Sequence, residues 1–136
     1  MIFDDKYFTQ FKFTPEQIAQ NFKNALRDLT IAKQDTIIEV KYSYTYTALI
    51  KAGITLLSYH QVKVKSLPGH HQIIIDTMAK ILEDDAIADI GNVMRSKRNT
   101  DLYGGGIEVT EKESSSYLAF VESVVSKIQN IIRQGG

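Results

Sequence analysis

The chain contains no cysteine. That excludes a disulfide framework and thiolate chemistry, and it suits a reducing compartment, so a cytoplasmic protein is expected. It has no excess charge of either sign, because 16 basic and 16 acidic residues cancel. Net charge therefore gives no reason to expect nucleic acid, and only a local cluster can do so. No apolar run reaches the roughly 18 residues a membrane span needs, so no membrane association is expected. Met1-Ile2-Phe3-Asp4-Asp5-Lys6 lacks the charged start and long apolar stretch of a secretory signal. There is no internal repeat and no low-complexity segment.

The common motifs of metal and nucleotide chemistry are missing as well. There is no His-Glu-x-x-His and no carboxylate spacing of a di-iron helix pair. His70 and His71 are adjacent, so on a helix they point about 100° apart and do not converge on one ion. No metal and no cofactor is expected. Gly104-Gly105-Gly106 follows a helical pattern and not a strand, which makes it a helix stop and loop, not a phosphate-cradling loop. No Gly-x-Ser-x-Gly elbow occurs, and Ser114-Ser115-Ser116 reads as first-turn polar filler.

What is present is helical. The 136 residues predict one domain, 1–136. Residues 1–13, with Phe3, Tyr7, Phe8, Phe11 and Phe13, are too aromatic for a disordered tail and predict an arm, irregular or briefly helical, docked on the body. Thr14-Pro15-Glu16-Gln17 is a capping box with Pro at the first helical position, and the helix it starts should run to about Lys33. Lys41 to Thr47 alternates with the period of a strand. Its flanks, from Ile38 through Tyr42, Thr45, Leu49 and Gly53 to Leu56, keep helical spacing, so one long helix is predicted, with Gly53 allowing close approach by another. Val62 to Gly69 reads as a loop. A strongly apolar helix follows His70-His71, and Glu83-Asp84-Asp85 separates it from a helix running from about Ala86 to Tyr103. Gly104 to Thr110 reads as a loop, and Thr110-Glu111-Lys112-Glu113 caps a long amphipathic last helix. The prediction is all-α: an antiparallel bundle of about five helices.

The densest basic cluster stands near the end of the fourth helix, at Arg95, Lys97 and Arg98, and the other segments read as helices that pack beside it. Ile87, Ile90, Gly91, Met94 and Leu102 fall on one side of that helix, and Arg98 falls with them. A guanidinium on a core-facing stripe is either paired within the structure or lines a cleft. Arg95, Asn99 and Tyr103 follow one another at intervals of four and share the adjoining face. Arg98, Asn99 and Tyr103 are the candidate catalytic residues. Arg95, Lys97, Arg98, His70 and His71 are the candidates for holding RNA or phosphate.

Three stretches carry a family resemblance. Tyr44 to Gly53 resembles the aromatic, alanine-rich second helix of HEPN domains, and Lys65 to His71 resembles the Gly-His-His start of the next helix in many members. Arg98-Asn99-Thr100-Asp101-Leu102-Tyr103 is similar to the family's catalytic pattern of Arg, a polar residue, a few positions and then His. The likeness spans roughly residues 14–133. It implies a HEPN-like bundle, metal-independent RNA cleavage in a cleft at a homodimer interface, and a nucleotidyltransferase partner in a toxin–antitoxin-type system. The departure is Tyr103, which stands where catalytic members have His. An unperturbed tyrosine, with a pKa near 10, does not exchange protons at neutral pH. The expectation is an RNA- or nucleotide-binding protein with weakened or absent nuclease activity. The alternatives are an active ribonuclease served by another base, His60, His70 or His71, and a helical interaction protein whose Arg98 is structural.

Overall fold

A computed structural model describes residues 3–104 and 108–135, with the side chains of residues 100–104 outside the described set. In chain order it has strand β1 (Phe8–Gln10), helices α1 (Pro15–Gln34) and α2 (Ile38–Tyr59), strand β2 (Val62–Val64), and helices α3 (His70–Ile81), α4 (Asp85–Gly104) and α5 (Glu111–Gly135). The described residues form an all-α helical bundle carrying one two-stranded sheet.

The helix starts follow local chemistry. Thr14 Oγ1 accepts from the Gln17 N–H at 3.1 Å, while the Gln17 side chain accepts from the Thr14 N–H at 2.9 Å. The same reciprocal pair joins Thr110 and Glu113 at the start of α5. The Asp35 carboxylate accepts from the Ile37 N–H at 2.8 Å and tightens the short turn that folds α2 back along α1.

The centre of the bundle is α2, and not the basic helix α4. Helix α2 packs against the other four helices and β2, and twelve of its residues are buried. A helix that is apolar nearly all round belongs inside. Its strand-like alternation is overridden because Tyr42 and Tyr46, one turn apart, both reach the core. Two of the hydroxyls that come with this sequence are satisfied within the helix: Thr45 and Thr55 donate to the carbonyls of Lys41 and Lys51, each at 2.8 Å.

The arm does dock, but as a strand. Residues Phe8, Thr9 and Gln10 pair antiparallel with Val64, Lys63 and Val62, so the segment read as a loop supplies the partner strand. Three residues carry too few alternations to announce a strand in sequence. Phe8 and Val62 bury one face of this ribbon against the body.

Helix α3 seats on two glycines. A Cβ at Gly53 of α2 would collide with Ile74, and one at Gly91 of α4 would lie 2.6 Å from Ile75 Cγ2. The close approach expected at Gly53 is therefore made by α3, and Gly91 repeats the device on the opposite neighbour. After α3 the chain turns at Glu83, whose φ is 52°. Asp84 then accepts from the Ala86 N–H at 3.1 Å and pairs with Lys127 of α5 at 2.7 Å. The expected loop at 104–110 falls partly outside the described residues.

Candidate functional site

The packing of α3 on α4 brings the Gly-His-His start of α3 to the basic face of α4. A cleft of about 430 Å³ lies between them, lined by Ser66, Leu67, Pro68, Gly69, His70, His71, Arg95 and Asn99. Four predicted site residues, from two helices, share its wall.

Three of them, His70, His71 and Arg95, are held by specific contacts. Gly69 opens α3 in the left-handed region, at φ 79° and with no side-chain cap, and the His70 N–H donates to the Leu67 carbonyl at 3.1 Å. The His70 Nδ1 lies 3.0 Å from the Leu67 carbonyl. A carbonyl only accepts, so Nδ1 carries the proton, and in neutral His70 the lone pair is on Nε2. The His71 Nδ1 lies 3.0 Å from the Tyr46 hydroxyl. A hydroxyl both donates and accepts, so this contact survives in either protonation state of the imidazole. Burial pushes the Tyr46 hydroxyl up to about 12, which keeps it protonated. Burial first, and then the positive charge of His70, Arg95 and Arg98, holds His71 below the ordinary histidine range. His71 is therefore neutral at pH 7 and gains affinity for a proton when an anion arrives.

Arg95 is aimed by a relay. Its Nε donates to Asn92 Oδ1 at 3.3 Å, and Asn92 Nδ2 donates to Asp76 Oδ1 at 2.8 Å and to the Ala88 carbonyl at 2.8 Å. The terminal nitrogens of the guanidinium are the part not committed to Asn92. They form the planar fork that suits a phosphate or carboxylate.

The remaining predicted residues divide. Arg98 does not line the cleft. It turns toward α2, with Nη1 inside the protein, and its charge acts on Tyr42, Tyr46 and His71 from beneath. The apolar stripe that predicted this inward direction is real: Ile87, Gly91 and Met94 are buried on the same side, and the Tyr42 hydroxyl donates to the Met94 carbonyl at 2.7 Å. Lys97 points away from the cleft, toward the start of α5, where it meets the Glu108 carbonyl at 3.4 Å and Glu113 at 4.0 Å. The Tyr103 side chain lies outside the described residues. His60 stands at the far end of α2, packed on Phe3 at 5.8 Å between ring centroids, and takes no part in the cleft.

Three contributors escape the sequence reading: Tyr46, Asn92 and Asp76. The three-residue spacing from Asn92 to Arg95 is a visible signal, since such pairs face each other on a helix. Nothing local marks Asp76 or pairs Tyr46 with His71, because both contacts cross between helices. Among the described residues no cluster of His, Asp or Glu could hold a metal ion, and no helix is long and apolar enough to cross a membrane. No family model, curated protein or solved structure matches the chain.

Proposed function

We propose that this chain is a HEPN-like module that binds RNA or a nucleotide through its phosphate, with weakened or absent nuclease activity. The observation that carries the reading is the shared wall: His70 and His71 of α3 face Arg95 and Asn99 of α4 across one cleft. An uncapped helix N-terminus, a guanidinium fork and an amide provide donors and positive potential for a phosphate oxygen. The resemblance adds a homodimer and a nucleotidyltransferase partner to the proposal, and the lack of cysteine adds a cytoplasmic setting. Arg98 contributes from below, raising the potential of the site without touching the ligand. The direct test is fluorescence polarisation with a short single-stranded RNA over a salt series. Affinity should fall steeply as salt rises. Absence of binding at low salt would overturn the reading.

One observation favours a second reading, an active metal-independent ribonuclease. His70 keeps Nδ1 on a carbonyl and so offers Nε2 as a proton acceptor in the same cleft as Arg95. This supplies the base that Tyr103 does not. Incubation with RNA separates the two. Cleavage that His70→Ala abolishes supports the enzyme, and intact RNA under binding conditions supports the module.

A further inference from the structure

A second cavity meets the first at the two histidines. It measures about 350 Å³, and Ser66, His70 and His71 belong to both walls. Its remaining walls are mostly apolar, chiefly Phe13, Ile50, Ile54, Leu57 and Ile74, with the amide of Asn21 and the Lys63 side chain, whose ammonium lies 4.0 Å over the Phe11 ring, among them. Ile54 is 38 % exposed within the otherwise mostly buried stretch 45–58 of α2, and it lines this pocket. The Phe13 wall is fixed at its backbone. Its N–H donates to Gln61 Oε1 at 2.8 Å and its carbonyl accepts from Gln61 Nε2 at 3.2 Å. Phe11 packs on its ring at 4.6 Å between centroids.

Each cavity lies within the roughly 300–1,000 Å³ range of small-molecule sites. Their chemistry differs. One is polar and basic, the other mostly apolar with an aromatic wall, one amide and the Lys63 side chain at its edge, and a pair of imidazoles separates them. A ligand that fills both is anionic at one end and flat and apolar at the other, with hydrogen-bonding edges. We infer that the two cavities form one bipartite site for a nucleotide. The phosphate lies against Arg95 and Asn99, and the base sits in the apolar pocket beside Phe13, Ile54 and Leu57. Aromatic walls stack bases, and an asparagine amide pairs with a base edge as donor and acceptor together. The inference rests on the phosphate-binding reading of the cleft and narrows its ligand: the site takes an unpaired nucleotide, whose base is free to leave a stack, and not duplex backbone.

Calorimetric titration of the full chain with inorganic phosphate, ribose 5-phosphate, AMP and UMP tests this. At least one nucleotide should bind about tenfold or more tightly than ribose 5-phosphate. Ile54→Trp, which fills the pocket from a partly exposed position, should bring that ratio to within about twofold, and Asn21→Ala should reduce it. Circular dichroism confirms that both variants fold. If nucleotides and ribose 5-phosphate bind alike, the base pocket is refuted while phosphate binding stands. A nucleotide advantage that neither variant changes also refutes it. If no probe binds, the inference falls together with the reading beneath it.

Discussion

From Ile74 to Met78, helix α3 is an apolar wedge pressed between Gly53 and Gly91. One turn earlier, the same helix offers two half-buried histidines to a cleft. In the wedge, position is set by volume. Ile74, Ile75 and Met78 are almost wholly buried, and backbones approach closely because two side chains are missing. In the cleft, position is set by direction: a carbonyl orients His70, a hydroxyl orients His71, and an amide relay orients Arg95. The wedge holds the helix at a fixed depth, and the cleft draws its geometry from that depth. Asp76 joins the two regimes, since it stands within the wedge segment and anchors the Asn92 relay.

Substitutions that open the wedge should have the largest effect. Ile75→Ala removes a fully buried side chain between α3 and α4 and should cost about 2–5 kcal/mol. Thermal or denaturant unfolding measures that loss. A cost below about 1 kcal/mol would show that the wedge does not set the depth of α3.

Overfilling the wedge should cost less. Gly91→Ala places a Cβ 2.6 Å from Ile75 Cγ2, and the destabilisation should be about 1–3 kcal/mol. Because the strain lies between α3 and α4, phosphate affinity should weaken with it. A destabilised protein with unchanged affinity would show that wedge and cleft are independent.

The smallest effect concerns pH. Burial holds His71 and His60 below their ordinary value of 6.5, so between the folded and unfolded values the unfolded chain binds more protons. Their contribution to stability is therefore fully present above pH 6.5 and is lost as pH falls below it. Melting temperature should decline from pH 7 toward pH 5, and His71→Gln should flatten part of that slope. A melting temperature that rises on acidification would contradict the assigned environments.

The contrast also explains what was legible in the sequence. Volume rules repeat along a chain, so the wedge shows as an apolar stripe and a well-placed glycine, and the caps at Thr14 and Thr110 announce their helices. The tyrosine alternation of α2 misleads only when its flanks are ignored. The paired strands were hidden because each is three residues long. In the cleft, residue types were visible and their meeting was not. Arg95, Lys97 and Arg98 form one cluster on paper. On the helix their directions separate, sending Arg95 to the cleft, Arg98 toward α2 and Lys97 toward α5. Tyr46 and Asp76 act across helices, at separations no local pattern reports.

In the proposed function Arg95, and not the basic cluster as a whole, meets the phosphate. The salt dependence of single-stranded RNA affinity tests it, compared among the wild type, Arg95→Ala and Lys97→Ala. Each phosphate contact contributes about one unit to the slope of log affinity against log salt concentration. Arg95→Ala should lower the slope by about one and weaken binding about tenfold or more, while Lys97→Ala leaves both near wild type. Equal losses in the two variants, or none in Arg95→Ala, would contradict the account.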